Sequence, residues 1–121
     1  MTFKSENAFK DWVLRTRFKD CEAFKIEARA VQGFPDCVVS PKDKTLPNMF
    51  IEFKYEPSRN FKRGLAVKYR PLQVHILQQL NRNNTAVACI GFKDKWILCE
   101  ATKDNKATNI IEEHGYASIN N

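Results

Sequence analysis

"GFPDCVVSPKDKTLPNMFIEFKYEP", residues 33–57, is the stretch from which the fold can be read. After Gly33 and Pro35 the run "DCVVS" reads as a short strand. "PKDKTLPN" then carries two prolines and several turn formers, and a second strand begins at Met49, so the stretch predicts a β-hairpin. In "MFIEFKYE" the period of two puts Met49, Ile51, Phe53 and Tyr55 on one face and Phe50, Glu52, Lys54 and Glu56 on the other. Glu52 and Lys54 stand where apolar residues would be easier to bury, and Pro35-Asp36 precedes them by about one strand length.

Working outward, "SENAFKDWVLRTRFK" over 5–19 sets Phe9, Trp12, Val13 and Thr16 at helical spacing, with Ser5 able to cap the first turn. "AFKIEARA" over 23–30 alternates Phe24, Ile26, Ala28 and Ala30 against charged residues, the period of a half-exposed strand. Downstream, "PSRNFKRGLAVKYR" has no period and reads as a mobile basic loop. Pro71 suits a helix first turn, and Leu72, Ile76, Leu77 and Leu80 supply an apolar stripe until Asn83 and Asn84 offer a stop. "TAVACIGF" is apolar almost throughout, as in a strand covered on both faces, and "KDK" turns it into "WILCEA". From Thr102 onward the chain is polar apart from Ile110, Ile111, Tyr116 and Ile119, which predicts at most a short terminal helix. The order helix, three strands, helix, two strands predicts an α/β fold over a single domain, residues 1–121. Its mixed sheet has about five strands flanked by helices, with a parallel crossover through the second helix.

With 43% apolar residues, nine Phe and two Trp, 121 residues can build one ordinary core. Twenty Lys and Arg against 14 Asp and Glu leave +6, a surplus that suits phosphate-rich partners without requiring them. Cys21, Cys37, Cys89 and Cys99 are widely spaced and cluster with neither His75 nor His114, which argues against structural zinc and for buried, inert thiols. No apolar run approaches the ~20 residues of a membrane span, so the expected setting is a reducing, cytoplasmic one, away from membranes.

The chemistry lies in the hairpin. Glu52 and Lys54 project from one face of their strand, and Asp36, heading the neighbouring strand, can set its carboxylate beside Glu52. Hard divalent cations such as magnesium prefer carboxylate oxygens plus waters. A carboxylate pair leaves coordination positions for a phosphate oxygen and an attacking water, and a nearby lysine can stabilise the phosphorane. The Phe53 carbonyl, between the two side chains, could be a further ligand. "PD", fifteen intervening residues and "EFK" resemble the signature of the PD-(D/E)xK nuclease superfamily. "GFPD", "FIEFK" and "RPLQVHILQQL…TAVACIG" resemble more closely its small VRR-NUC and Holliday-junction-resolvase members, across roughly residues 5–100. That resemblance implies a restriction-endonuclease-like core and a magnesium-dependent endonuclease, with manganese able to substitute. It implies Asp36 and Glu52 as metal ligands, Lys54 serving the nucleophilic water, Gln73 supporting the site from the second helix, and Glu6 as the first-helix acid. It also implies a homodimer acting on branched or structured DNA.

Each feature has a plainer reading. Glu-x-Lys alone is a solvated face or an ion pair, Pro-Asp alone is a turn, and Glu6 after Ser5 is a first-turn acid favoured by the helix dipole. Gln73 is more telling, because it interrupts an apolar face and a buried amide needs partners. Arg59, Lys62, Arg63, Lys68 and Arg70, between the Glu-bearing strand and the Gln-bearing helix, are candidate phosphate contacts or else a solvated loop. His75 reads as a surface or packing residue, and Trp12 and Trp96 as core. Nothing resembles a sequence-reading helix, so structure-selective cleavage is expected over restriction, with a non-cleaving nucleic-acid-binding protein or an RNA-directed nuclease as the alternatives.

Overall fold

Ser5 accepts the Ala8 N–H on its hydroxyl at 3.1 Å, capping helix α1 (Glu6–Thr16). The structure, a computed structural model, describes residues 2–27, 32–82 and 85–116. After α1 come strands β1 (Cys21–Lys25), β2 (Cys37–Pro41) and β3 (Met49–Glu56), helix α2 (Pro71–Leu80), and strands β4 (Thr85–Phe92), β5 (Lys95–Cys99) and β6 (Ile110–Gly115). All six strands join one sheet in sequence order. Neighbours are antiparallel except β3 and β4, which α2 links as a parallel pair. The α/β class and mixed sheet are as expected, with one more strand than the five foreseen.

Among the described residues, each sheet face carries one helix. On one, Phe9, Trp12 and Val13 of α1 pack on Ile51, Phe53, Val87, Cys89, Trp96 and Leu98. The ring of Phe9 lies so close to β4 that a Cβ on Gly91 would sit 2.7 Å from it, so glycine there is what lets helix and sheet meet. On the other face, Val74 and Leu77 of α2 pack with Ala86 and Ala101, while Val67 and Ala107 cover Ala88, Ile90, Phe92 and Ile97.

Four expectations need correction. β1 starts at Cys21 and closes at Lys25, not over 23–30; Ala28, Arg29 and Ala30 lie outside the described residues. At the edge of the sheet, β1 leaves Phe24 52% exposed. On α2, the buried residues are Gln73, Val74 and Leu77, whereas Leu72 is 49% exposed. The helix is turned to present its amide to the sheet, and the stop expected at Asn83 and Asn84 lies outside the described residues. The segment 57–70, expected to be mobile, is tied down. Gly64 N–H and Val67 N–H donate to the Ala107 and Asn105 carbonyls at 2.8 and 2.7 Å, Phe61 N–H donates to Asp94 at 2.8 Å, and Val67 is buried.

The fourth correction is β6, where at most a short helix was expected. Its inward positions are Glu112 and His114, so the apolar alternation that announces a strand is absent. Their polarity is satisfied: Arg17, at the end of α1, donates from Nε and Nη2 to the two Glu112 carboxylate oxygens at 2.8 and 2.6 Å. His114 meets Glu112 at 2.7 Å and stacks on Trp96 at 4.5 Å.

The Arg17 hydrogen bonds, foremost among several causes, hold the Glu112 carboxyl at about 2, below its ordinary 4.5. A depressed carboxylate stabilises the fold fully above its unfolded value and loses that contribution as pH falls through the folded one. Denaturant titrations should therefore show wild type more stable than Glu112→Gln by about 1 kcal/mol at pH 7, with the gap closing between pH 4.5 and 2.

Candidate active site

Asp36 stands where β2 and β3 part. Their antiparallel register pairs Cys37 with Ile51, so one further step would set Asp36 opposite Glu52. The ladder ends there, and the Asp36 side chain takes over: Oδ2 accepts the Phe53 N–H at 2.9 Å. On its other side the Asp36 carbonyl accepts the Ile26 N–H at 2.9 Å. The aspartate is thus fixed through main chain to one neighbouring segment and through side chain to the other.

Glu52 points to the α2 side of the sheet and is only 6% exposed. Burial pushes its carboxyl up to about 8, and the nearby Asp36 and Glu6 carboxylates add to the rise, while Lys54 and Arg70 oppose it. Its hydrogen-bond partner is Gln73, 4% exposed, whose Nε2 donates to Glu52 Oε2 at 3.0 Å. The same amide accepts on Oε1 from Lys54 Nζ at 3.3 Å and from the Arg70 N–H at 2.9 Å. One buried glutamine therefore joins acid, amine and helix start, and its interruption of the apolar stripe is explained.

Gly33 holds the two halves together. It adopts φ +87°, and a Cβ there would meet Gln73 N at 2.8 Å and the Leu72 carbonyl carbon at 2.9 Å. The turn that delivers Asp36 is packed directly on the first turn of α2 that delivers Gln73.

Glu6 is the first residue of α1, the helix on the opposite face of the sheet from α2. The residue as a whole is exposed, yet partial burial raises its carboxyl pKa, as does the nearby Asp36 carboxylate, while Lys54 and Lys10 oppose the rise. Among the described residues no group of three or more His, Cys, Asp or Glu side chains stands close enough to hold a metal ion, so Glu6, Asp36 and Glu52 are not gathered into one cluster. Asp36 and Glu52, flanking Phe53, remain a pair of hard oxygen donors of the kind that suits a cation keeping several waters.

Of the basic residues, Arg70 lies near enough to Glu52 to act on its charge, and Lys68 lines a cleft of about 430 Å³ with Tyr55 and Ser58 at the end of β3. Lys62 and Arg63 are exposed on a turn. Arg59 is committed within the protein, paired with Glu56 and donating to the Ala66 carbonyl at 3.0 Å. Two residues near the site were not expected there from the sequence. Lys10, a turn beyond Glu6 on α1, acts on the charge of both Glu6 and Cys37. Tyr69 lies under the Lys54 ammonium, its ring centroid 5.3 Å from Nζ. Helical spacing from Glu6 could have found Lys10; no local signal marks Tyr69.

No protein-family profile matches the chain, and no curated protein matches it in sequence. Among solved structures, the Holliday junction resolvase Hjc of the archaeal hyperthermophile Archaeoglobus fulgidus is similar in fold. The TM-score is 0.52 at 16% identity, covering 92% of this chain and 86% of that one. The likeness is one of fold and agrees with the restriction-endonuclease-like core expected from the sequence.

Gly33→Ala should cost about 1–3 kcal/mol, because a side chain at this φ is strained and its Cβ has no room. Thermal melts of the two proteins measure the loss.

Proposed function

We propose that this protein is a metal-dependent DNA endonuclease of the PD-(D/E)xK class, cutting branched or otherwise structured DNA in the manner of junction resolvases or VRR-NUC nucleases. The observation that carries the reading is the Asp36–Phe53 hydrogen bond, which brings a second carboxylate beside the Glu52–Gln73–Lys54 row. The fold shared with a junction resolvase supports it.

Asp36 and Glu52, with the Phe53 carbonyl, would hold magnesium or manganese. A buried carboxyl raised by its own burial and by a neighbouring carboxylate is a place where a cation relieves an electrostatic cost, so these residues fit the ion. When bound, such an ion supplies charge neutralisation at the phosphoryl oxygens and a more acidic water. Lys54 brings a positive charge to the scissile phosphate and orients the attacking water, while Gln73 fixes Lys54 and Glu52 relative to each other. Glu6, beside Asp36, adds negative charge from the first helix. Lys62, Arg63, Lys68 and Arg70 contact the DNA backbone without reading bases, and Arg59 serves them by shaping their segment. Two copies would offer sites to opposed strands of a junction; Phe24 and Leu72, about half exposed, supply apolar surface for the pairing. No helix among the described residues is long and apolar enough to cross a membrane.

The rival reading is a nucleic-acid-binding protein of this fold that does not cut. Magnesium titration against a labelled four-way junction separates the two, run beside single-stranded, duplex, flapped and RNA substrates. Wild type should cut the junction only with metal, and Asp36→Ala or Glu52→Ala should lower the rate by about a thousandfold while binding persists. Undiminished cutting by either variant rejects the assignment of that carboxylate. Lys62→Ala or Arg63→Ala should weaken binding alike on all sequences and reduce the salt dependence by about one released counterion each.

A further inference from the structure

Lys54 has unusual company for a lysine whose charge acts on two acids, Glu6 and Glu52. It forms no ion pair among the described residues. What holds it is neutral: the Gln73 amide oxygen at 3.3 Å on one side and the face of Tyr69 at 5.3 Å on the other. The Tyr69 ring is itself anchored. It packs against both apolar clusters on the α2 side of the sheet, and its hydroxyl lies 3.9 Å from Cys99 Sγ. Its chain neighbour Arg70 donates its N–H to the same Gln73 oxygen that takes Lys54, so ring and amide are set by one short segment. That segment is pinned by Val67 N–H to the Asn105 carbonyl at 2.7 Å.

From this geometry we infer that Tyr69 is a positioning residue for Lys54: its ring and the Gln73 amide hold the ammonium aimed at the scissile phosphate without locking it to a carboxylate. A carboxylate partner would compete with the phosphate for the ammonium; an aromatic face and an amide oxygen fix direction and leave the charge available. The inference rests on the nuclease reading for its catalytic consequence, but its geometric core stands independently.

Two measurements test it. In side-chain NMR of the full chain, the Lys54 ε-methylene protons, identified by their loss in Lys54→Ala, should be shifted upfield by the Tyr69 ring. The shift should survive in Tyr69→Phe, which keeps the face, and vanish in Tyr69→Leu. In junction cleavage, Tyr69→Leu should lose about tenfold in kcat, the fold-change a cation–π contact of ordinary strength corresponds to. KM should change little, and Tyr69→Phe should stay near wild type. A general loss of structure would instead move both parameters in both variants. Absence of the upfield shift in wild type, or a wild-type kcat in Tyr69→Leu, overturns the inference and leaves the nuclease reading untouched. A wild-type protein that cuts nothing while the shift is present overturns the nuclease reading, and the role of Tyr69 in placing Lys54 stands.

Discussion

A carboxyl group under a helix has to be answered by its surroundings, and Glu52 sets that demand here. Placed on a covered sheet face at 6% exposure, it requires a donor that an apolar helix surface does not offer. Gln73 meets the requirement with its Nε2, and in doing so spends its Oε1 on Lys54 and on the first turn of α2. The rotation of α2, the exposure of Leu72 and the close approach at Gly33 follow from that single amide.

The same demand explains why the β2–β3 ladder stops where it does. A continued ladder would set Asp36 across from Glu52 and leave two carboxylates opposed in a flat sheet. Instead the strands part, and the Asp36 carboxylate is satisfied by the Phe53 N–H. Charge repulsion is accommodated by a hydrogen bond to main chain, and a notch with two acids at its edge results.

The sequence made much of this legible. Period-two alternation in "MFIEFKYE" placed Glu52 and Lys54 on one face, proline and turn formers announced the hairpin, and an apolar run marked the doubly covered β4. Gln73 was readable as an anomaly on its helix. What was hidden was hidden for physical reasons. β6 turns Glu112 and His114, both partly buried, toward Arg17 and Trp96, so its inward face there carries no hydrophobic signal. Segment 57–70 has no period because it is held by isolated backbone bonds to residues some forty positions away, which no local pattern encodes. Tyr69 belongs to the same class: its contact with Lys54 exists only once the strand and that segment have met.

Helix α1 has a consequence of its own. Eleven residues long, it spans about 16 Å, with Glu6 at one end and, just past the other, Arg17 forked onto the outermost strand. It is a strut between the notch and the far rim, gripped by aromatic rings along its middle. Loss of the guanidinium fork would leave that end of the strut without its tie to β6, held by the aromatic contacts alone. The same short helix thereby ties the edge of the sheet that holds Asp36 to the margin formed by β6.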